Sequence, residues 1–399
     1  MLTPTASSLA AFVDERLRAR NGVVRAFFER EAPRLTDASA LLARRFARGG
    51  RIFAFGRGAY ATDAAHVSVE FVHPVIVGKR ALPALDASAA YDALLDTFAT
   101  PNDVAIGFGP PAGDPDVLRV LARARERGVL TFAWPGERPG DADYSVASPT
   151  EDPHVHQEIF EILGHTLYES VHVFLEHEER LASDGGAASF LYPFLGGAQN
   201  AGEADRAAVV RSVVAKASDG ERLREQVAAR QSGEIAAAAR AIATCLDRGG
   251  RILAFGNGGS ATDATDFALD CLLPESGLRA IPALSLSAEP AILTAVGNDV
   301  GMELTFLRQL IAHGRRGDVA LAFSTSGGSK NVVAALEGAR ERGLLTVALL
   351  GYDGGDIARR GLADHTLVVD CADIPRIQET QAAIYHVLRH AIERARDGA

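Results

Sequence analysis

The sequence predicts an α/β protein made of two doubly wound parallel sheets in tandem, and three observations predict it. The stretch "GRGAYATDAAH" from Gly56 returns as "GNGGSATDATD" from Gly256, at an offset of 200. In each half, short apolar runs that read as buried strands alternate with stretches of helical period, which is the order of a parallel sheet. The 399 residues also exceed the usual size of a single core, so two domains are expected.

Residues 8 to 48 read as helices, with apolar positions at helical spacing in "LAAFVDERLRARNGVVRAFFEREAPRL" and "DASALLARRFARGG". "RIFAF" reads as a strand because it is a short apolar run halted by glycine. A helix follows over about Thr62 to Val72, then the strand "DVAIGF", the acid-led and glycine-stopped helix "DPDVLRVLARARERG", and the strand "VLTFAW". The second half repeats the order with "RILAF", a helix, "AIPALSL", a helix around Ile292 to Gly314, "DVALAF", the helix "NVVAALEGARERG", "LLTVALL" and "HTLVVD". "ARERGVLT" at Ala124 and "ARERGLLT" at Ala339 fix the register at an offset of 215, the growth coming from extra sequence around "AVGNDVGMELTFLRQLIAHGRRGD". Each half closes on a long helix, "HQEIFEILGHTLYESVHVFLEH" and "RIQETQAAIYHVLRHAIERA". The domains are therefore placed at 1–180 and 206–399, joined by a connector at 181–205 whose glycines and small residues mark looser chain.

Hydrophobic residues make up 47% and charged residues 23%, a globular balance that argues against disorder. A net charge of −10 weighs against non-specific nucleic-acid binding, which rests on Lys and Arg, but leaves room for a small anion held by a local loop. Cys245, Cys271 and Cys371 are too few and scattered for a disulfide framework, no run of about 18 apolar residues spans a membrane, and the N-terminus lacks a basic leader region. A cytoplasmic protein with free thiols is the expectation.

Chemistry concentrates in the turns. In an open parallel sheet, ligands sit beyond the carboxyl ends of the strands, where glycine turns bring N–H groups and a helix start towards an anion. "STSGGS" offers the hydroxyls of Ser324, Thr325, Ser326 and Ser329 there, and "GNGGS" makes a similar strand-to-helix turn, a pairing that points to phosphate. The aligned first-half loop "GFGPPAGDPDV" has Gly109, Pro110, Pro111 and Asp114 instead, so it has lost donors and gained a charge that repels phosphate. His154, His156, His172 and His177 show no partner pattern and read as solvated helix faces, as does the acidic run "EHEER".

"GNGGSATDA", "AVGND", "GDVALAFSTSGGSKNVVAAL", "GYDGGDIARRGLAD" and "PRIQE" together resemble the phosphoheptose isomerases of the sugar isomerase (SIS) fold, over nearly all of residues 206–394. The first half resembles a diverged copy, through "GRGAYATDAAHVSVEF" and "HQEIFEILGH". The resemblance implies an aldose–ketose isomerase that interconverts sedoheptulose 7-phosphate and a glycero-manno-heptose 7-phosphate. It implies substrate contacts from Asn257, Gly258, Gly259, Ser260, Asn298, Asp299, Ser324, Thr325, Ser326, Ser329 and Gln378. It also implies a divalent metal, often zinc, held by His66 and Glu70 on one helix and Gln157 and His165 on another, with Glu70 and His165 moving protons. In the second half Gln378 and His386 remain, but Asp266 and Asp270 replace the first pair, Asp being shorter than Glu and no substitute for imidazole. Glu289 stands where the family usually has Asp.

Relatives of this kind assemble as tetramers with sites where subunits meet. The expectation is therefore a homodimer forming a pseudo-tetramer of SIS domains, with composite sites: phosphate loops from the second half, the metal and acid–base quartet from the first. Two rivals stand beside it, an isomerase of another phosphosugar and a non-catalytic SIS sensor or protein-binding module.

Overall fold

The computed structural model describes residues 6–74, 79–136, 141–184, 198–275 and 277–397, with the side chains at 6–7, 177–184 and 198–205 outside the description. The first half runs α1 (Ala6–Ala47), β1 (Ile52–Phe55), α2 (Ala61–Val72), β2 (Ala84–Asp86), α3 (Tyr91–Phe98), β3 (Val104–Phe108), α4 (Pro115–Glu126), β4 (Leu130–Trp134), β5 (Tyr144–Ser145) and α5 (Pro153–Asp184). The second runs α6 (Ala198–Asp247), β6 (Ile252–Phe255), α7 (Gly259–Leu272), β7 (Ala283–Ser285), α8 (Pro290–Asp299), α9 (Thr305–His313), β8 (Val319–Ser324), α10 (Lys330–Glu341), β9 (Leu345–Gly351), α11 (Gly355–Arg359), β10 (His365–Val369) and α12 (Ile374–Asp397).

Two five-stranded sheets result, ordered β2-β1-β3-β4-β5 and β10-β9-β8-β6-β7, and every pairing is parallel. Each therefore has a switch point, between β1 and β3 and between β6 and β8, where successive crossovers leave in opposite directions and the strand ends open a crevice. Alternation along the strands sorts side chains to the two faces. Ile252 and Ala254 join one apolar cluster while Leu253 and Phe255 join another, and Ile52 with Ala54 and Phe53 with Phe55 divide the same way. Both faces of both sheets are thereby covered, as the α/β reading requires.

By packing, the chain divides into one compact unit of residues 1–21 with 220–399 and another of residues 22–219. The repeat boundaries and the packing units differ because each long leading helix serves two cores. Leu9, Val13 and Leu17 of α1 pack with Ile235, Ile242 and Leu388, while Val209, Val213 and Ala217 of α6 pack with Phe27, Phe28 and Leu167. Of the expected connector, residues 185–197 lie outside the description, and its two flanks are the helical ends of α5 and α6. The helix expected around Ile292 to Gly314 is two helices, α8 and α9, parted by a turn at Met302–Leu304 that Gly301 enters at φ 122.

Candidate functional site

In the unit of residues 1–21 and 220–399, the strands flanking the switch point end in the two glycine-rich turns. Gly258 precedes α7 at φ 57 and ψ −127, a backbone only glycine adopts freely, and it offers no side chain to the helix start. Ser329 precedes α10 and its hydroxyl makes no capping bond either. Two helix N-termini thus face the crevice without side-chain caps, the arrangement that attracts an anion. The loop between β8 and α10 is tied from within: the Gly327 amide donates to Ser324 Oγ at 3.1 Å and the Gly328 amide to Ser326 Oγ at 3.2 Å. Gly327 sits at φ +59, where a Cβ would lie 2.1 Å from the Gly354 carbonyl oxygen, so the loop is seated against the turn that opens α11. Asn257 and Asn331 exchange side-chain amide bonds of 2.9 and 2.8 Å, linking the two turns.

Ser324 and Ser260 are buried, Thr325 and Ser329 half-buried, and Asn257, Gly258 and Ser326 exposed, so the turns present a graded polar surface. Asn298 and Asp299 lie exposed at the end of α8, where the Asn298 amide donates to Asp299 at 2.7 Å. Gln378 is buried on α12, and its Oε1 has no hydrogen-bond partner among the described residues.

The matching first-half turn is closed by its own anion. Asp114 caps α4, accepting from the Asp116 and Val117 amides at 2.9 and 3.3 Å, with Pro115 as the first helical residue. Arg57 bridges Asp114 and Asp116, so an ion pair stands where the second half has the Asn257–Asn331 amide pair. A carboxylate already occupies the place at the helix start that a phosphate would take.

The first half keeps a different apparatus. α2 packs on α5, and His66 of the one meets His165 of the other with Nε2 atoms 3.2 Å apart, both rings buried. Glu161, one turn before His165, joins them: one donor atom from each of the three lies within 4.8 Å of the others, a group that could hold a metal ion. Glu70, one turn after His66, is outside that group. Its carboxyl is buried, its Oε2 has no hydrogen-bond partner among the described residues, and burial pushes its pKa up from 4.5 to about 8. Tyr168 is pushed to about 12, by burial first and by the Glu70 charge second. Gln157 is buried and its amide donates to Asp63 at 3.4 Å. The structure brings His66 and His165 of the expected quartet together and sets Glu161 beside them, a residue that sequence reasoning missed although it stands four residues from both Gln157 and His165.

The second half holds its own group at the corresponding place. His386 Nε2 is 3.4 Å from both Asp266 and Asp270, one donor atom of each lies within 4.8 Å of the others, and Tyr385 donates to Asp266 at 2.8 Å. Burial and the neighbouring Asp266 charge raise Asp270 to about 7, against the opposing pull of His386.

Three histidines expected on solvated faces are buried instead. His154 and His172 are 4% exposed and His156 not at all. The reason is that α5 is covered along much of its length, so its polar positions need internal partners. His156 finds them in Ser148 Oγ at 2.8 Å and the Gly109 carbonyl at 2.9 Å, and burial lowers its pKa to about 4. His177 lies outside the described side chains.

Two parallel sheets, anion-ready helix starts at one switch point and buried histidine–carboxylate groups define a tandem SIS-domain protein. A family profile described as "SIS domain" matches residues 217–351. A phosphoheptose isomerase from Geobacter sulfurreducens is 41% identical over 187 residues, covering 47% of this chain and 98% of that protein. Another, from Pelobacter propionicus, is 48% identical over 149 residues, 37% of this chain and 78% of its own. The chain belongs to the phosphoheptose isomerase family of SIS-domain proteins. Over its greater length it shares a fold with the C-terminal domain of glucosamine-fructose-6-phosphate aminotransferase from Francisella tularensis, at 11% identity and TM-score 0.55, covering 94% of this chain and 96% of that one. Among the described residues, no helix is long and apolar enough to cross a membrane.

Proposed function

We propose that this protein is an aldose–ketose isomerase that converts sedoheptulose 7-phosphate to D-glycero-manno-heptose 7-phosphate through a cis-enediol. The observation that carries the reading is the meeting of His66 and His165, which brings two buried imidazoles from distant parts of the chain to 3.2 Å. Two ring nitrogens that close are either a hydrogen-bonded pair of complementary tautomers or two ligands of one ion. The isomerisation moves one proton between C1 and C2 and another between their oxygens. Glu70 takes the C1 proton and returns it to C2, its raised pKa bringing it near working pH as a base. His165 handles the oxygen proton. A divalent metal, with zinc suited to imidazole and carboxylate donors, would polarise the carbonyl and steady the enediolate. The phosphate is taken by Ser324, Thr325, Ser326 and Ser329 with Asn257 to Ser260, and Gln378, Asn298 and Asp299 contact the sugar. Turnover in this reading needs both halves, and a homodimer is the smallest assembly that supplies four such domains.

The test is proton exchange. The protein is incubated with sedoheptulose 7-phosphate in deuterium oxide, with and without zinc, and the C1 proton is followed by NMR. Exchange that disappears in His165→Ala supports the reading; undiminished exchange in that variant removes His165 from the mechanism, and no exchange by the unaltered protein with any divalent metal refutes the isomerase.

A further inference from the structure

We propose that the cavity between α5 and α6, within the unit of residues 22–219, is a second ligand site that takes a small organic oxyanion, a phosphate monoester or a carboxylate. The proposal stands apart from the isomerase reading, since the cavity shares no residue with the quartet or with the glycine-rich turns of the second half. Its volume of about 390 Å³ is within the range of small-molecule sites. α5 gives it Glu169, His172 and Val173, which recur at helical spacing on one face, and α6 gives it Val209, Ser212 and Lys216 in the same way. Val173 and Ser212 are exposed, so the cavity opens to solvent.

His172 is the residue that points to a ligand. It lines the cavity while being only 4% exposed, and its Nε2 has no hydrogen-bond partner among the described residues. Its ring meets Tyr168 edge-on with centroids 4.7 Å apart, so packing holds the imidazole in place. Burial first and the Lys79 charge second lower its pKa to about 4, which leaves it neutral at pH 7, with an Nε2 that can donate a hydrogen bond or accept one. A buried polar atom without a partner is costly, and a ligand oxygen in the cavity would meet it.

The rest of the lining selects the charge of that ligand. Lys79 and Lys216 stand against one carboxylate, Glu169, so the lining is positive in a chain whose net charge is −10. Lys216 is ion-paired with Glu169 and Lys79 with Glu176, which anchors both ammonium groups at the cavity. An ammonium has three N–H donors, more than one carboxylate uses, and Ser170 and Ser212 add hydroxyls. These donors suit an oxyanion head, while Val173, Ala208 and Val209 offer an apolar wall to a carbon body. A cation would instead meet two ammonium groups and a carboxylate already engaged by one of them.

The experiment uses the full chain carrying nitrogen-labelled histidine. Long-range proton–nitrogen NMR spectra at pH 7 follow the His172 ring, whose signal is identified by its loss in His172→Gln. Glycerol 3-phosphate, butyrate and glycerol are titrated in turn. The expected result is a saturable shift of the His172 signal with one or both anions and none with glycerol; the anion that acts at the lower concentration identifies the head group. Lys79→Gln is expected to raise the half-saturating concentration at least roughly tenfold, the loss of a hydrogen bond to a charged group. Ser212→Glu, at an exposed helical position one turn from Lys216, places a carboxylate in the cavity and is expected to abolish the shift, with thermal melting to check that both variants fold. No shift with either anion, an equal shift with glycerol, or a parent-like response in either variant overturns the proposal.

Discussion

Glu70→Gln is expected to abolish proton exchange in metal-loaded protein and, in metal-free protein, to stabilise the fold increasingly as pH rises. The side chain is 1% exposed, and burial lifts its pKa from 4.5 to about 8. Because the folded pKa is the higher one, the folded state holds a proton that the unfolded chain releases, so ionisation favours unfolding across the interval between the two values. Each pH unit in that interval is worth about 1.4 kcal/mol, so the cost grows from about 1 kcal/mol at pH 5 to about 3 kcal/mol at pH 7, then levels off above pH 8. Glutamine cannot ionise and escapes this cost at every pH. The assay is urea unfolding of both proteins at pH 5, 6, 7 and 8, with chelator present. Any fixed difference between amide and acid shifts the whole series without changing its slope, so the slope is the readout. A stability difference that stays flat from pH 5 to 8 would refute the argument that burial holds this carboxyl protonated.

In the unaltered enzyme, kcat/KM is expected to fall towards acid pH, because the base form of Glu70 becomes scarce as its buried carboxyl takes up a proton; a profile flat from pH 8 down to pH 4 would remove Glu70 as the base. Ser326→Ala is expected to raise KM about tenfold with little change in kcat, the loss of one hydrogen bond to a charged phosphate, and steady-state kinetics checks it. Gly327→Ala puts a Cβ 2.1 Å from the Gly354 carbonyl oxygen at positive φ, so a loss of more than about 1 kcal/mol should appear in thermal denaturation, with weaker substrate binding.

Duplication and complementary change are written into the molecule at residue level. Where the second half pairs Asn257 with Asn331 and leaves its helix starts uncapped, the first pairs Arg57 with Asp116 and caps α4 with Asp114. The exchange is self-consistent, since a carboxylate at the helix start answers the same unsatisfied N–H groups that a phosphate would.

Much of this was legible in the sequence. Strand alternation, the glycine turns and the offsets of 200 and 215 determined two parallel sheets and placed the hydroxyl loop at a helix start, because those features depend on spacing along the chain. The i, i+4 spacing put His66 and Glu70 on one helical face, but a shared face does not say which side chain reaches a partner helix. Only the tertiary structure decided that Glu161 lies beside the two histidines, since that depends on how α2 and α5 pack. It also decided that His154, His156 and His172 are buried, and that α1 and α6 each serve two cores. Local pattern fixes the period of an element; burial and donor geometry are properties of what packs against it, and the sequence records those partners far from the residues they touch.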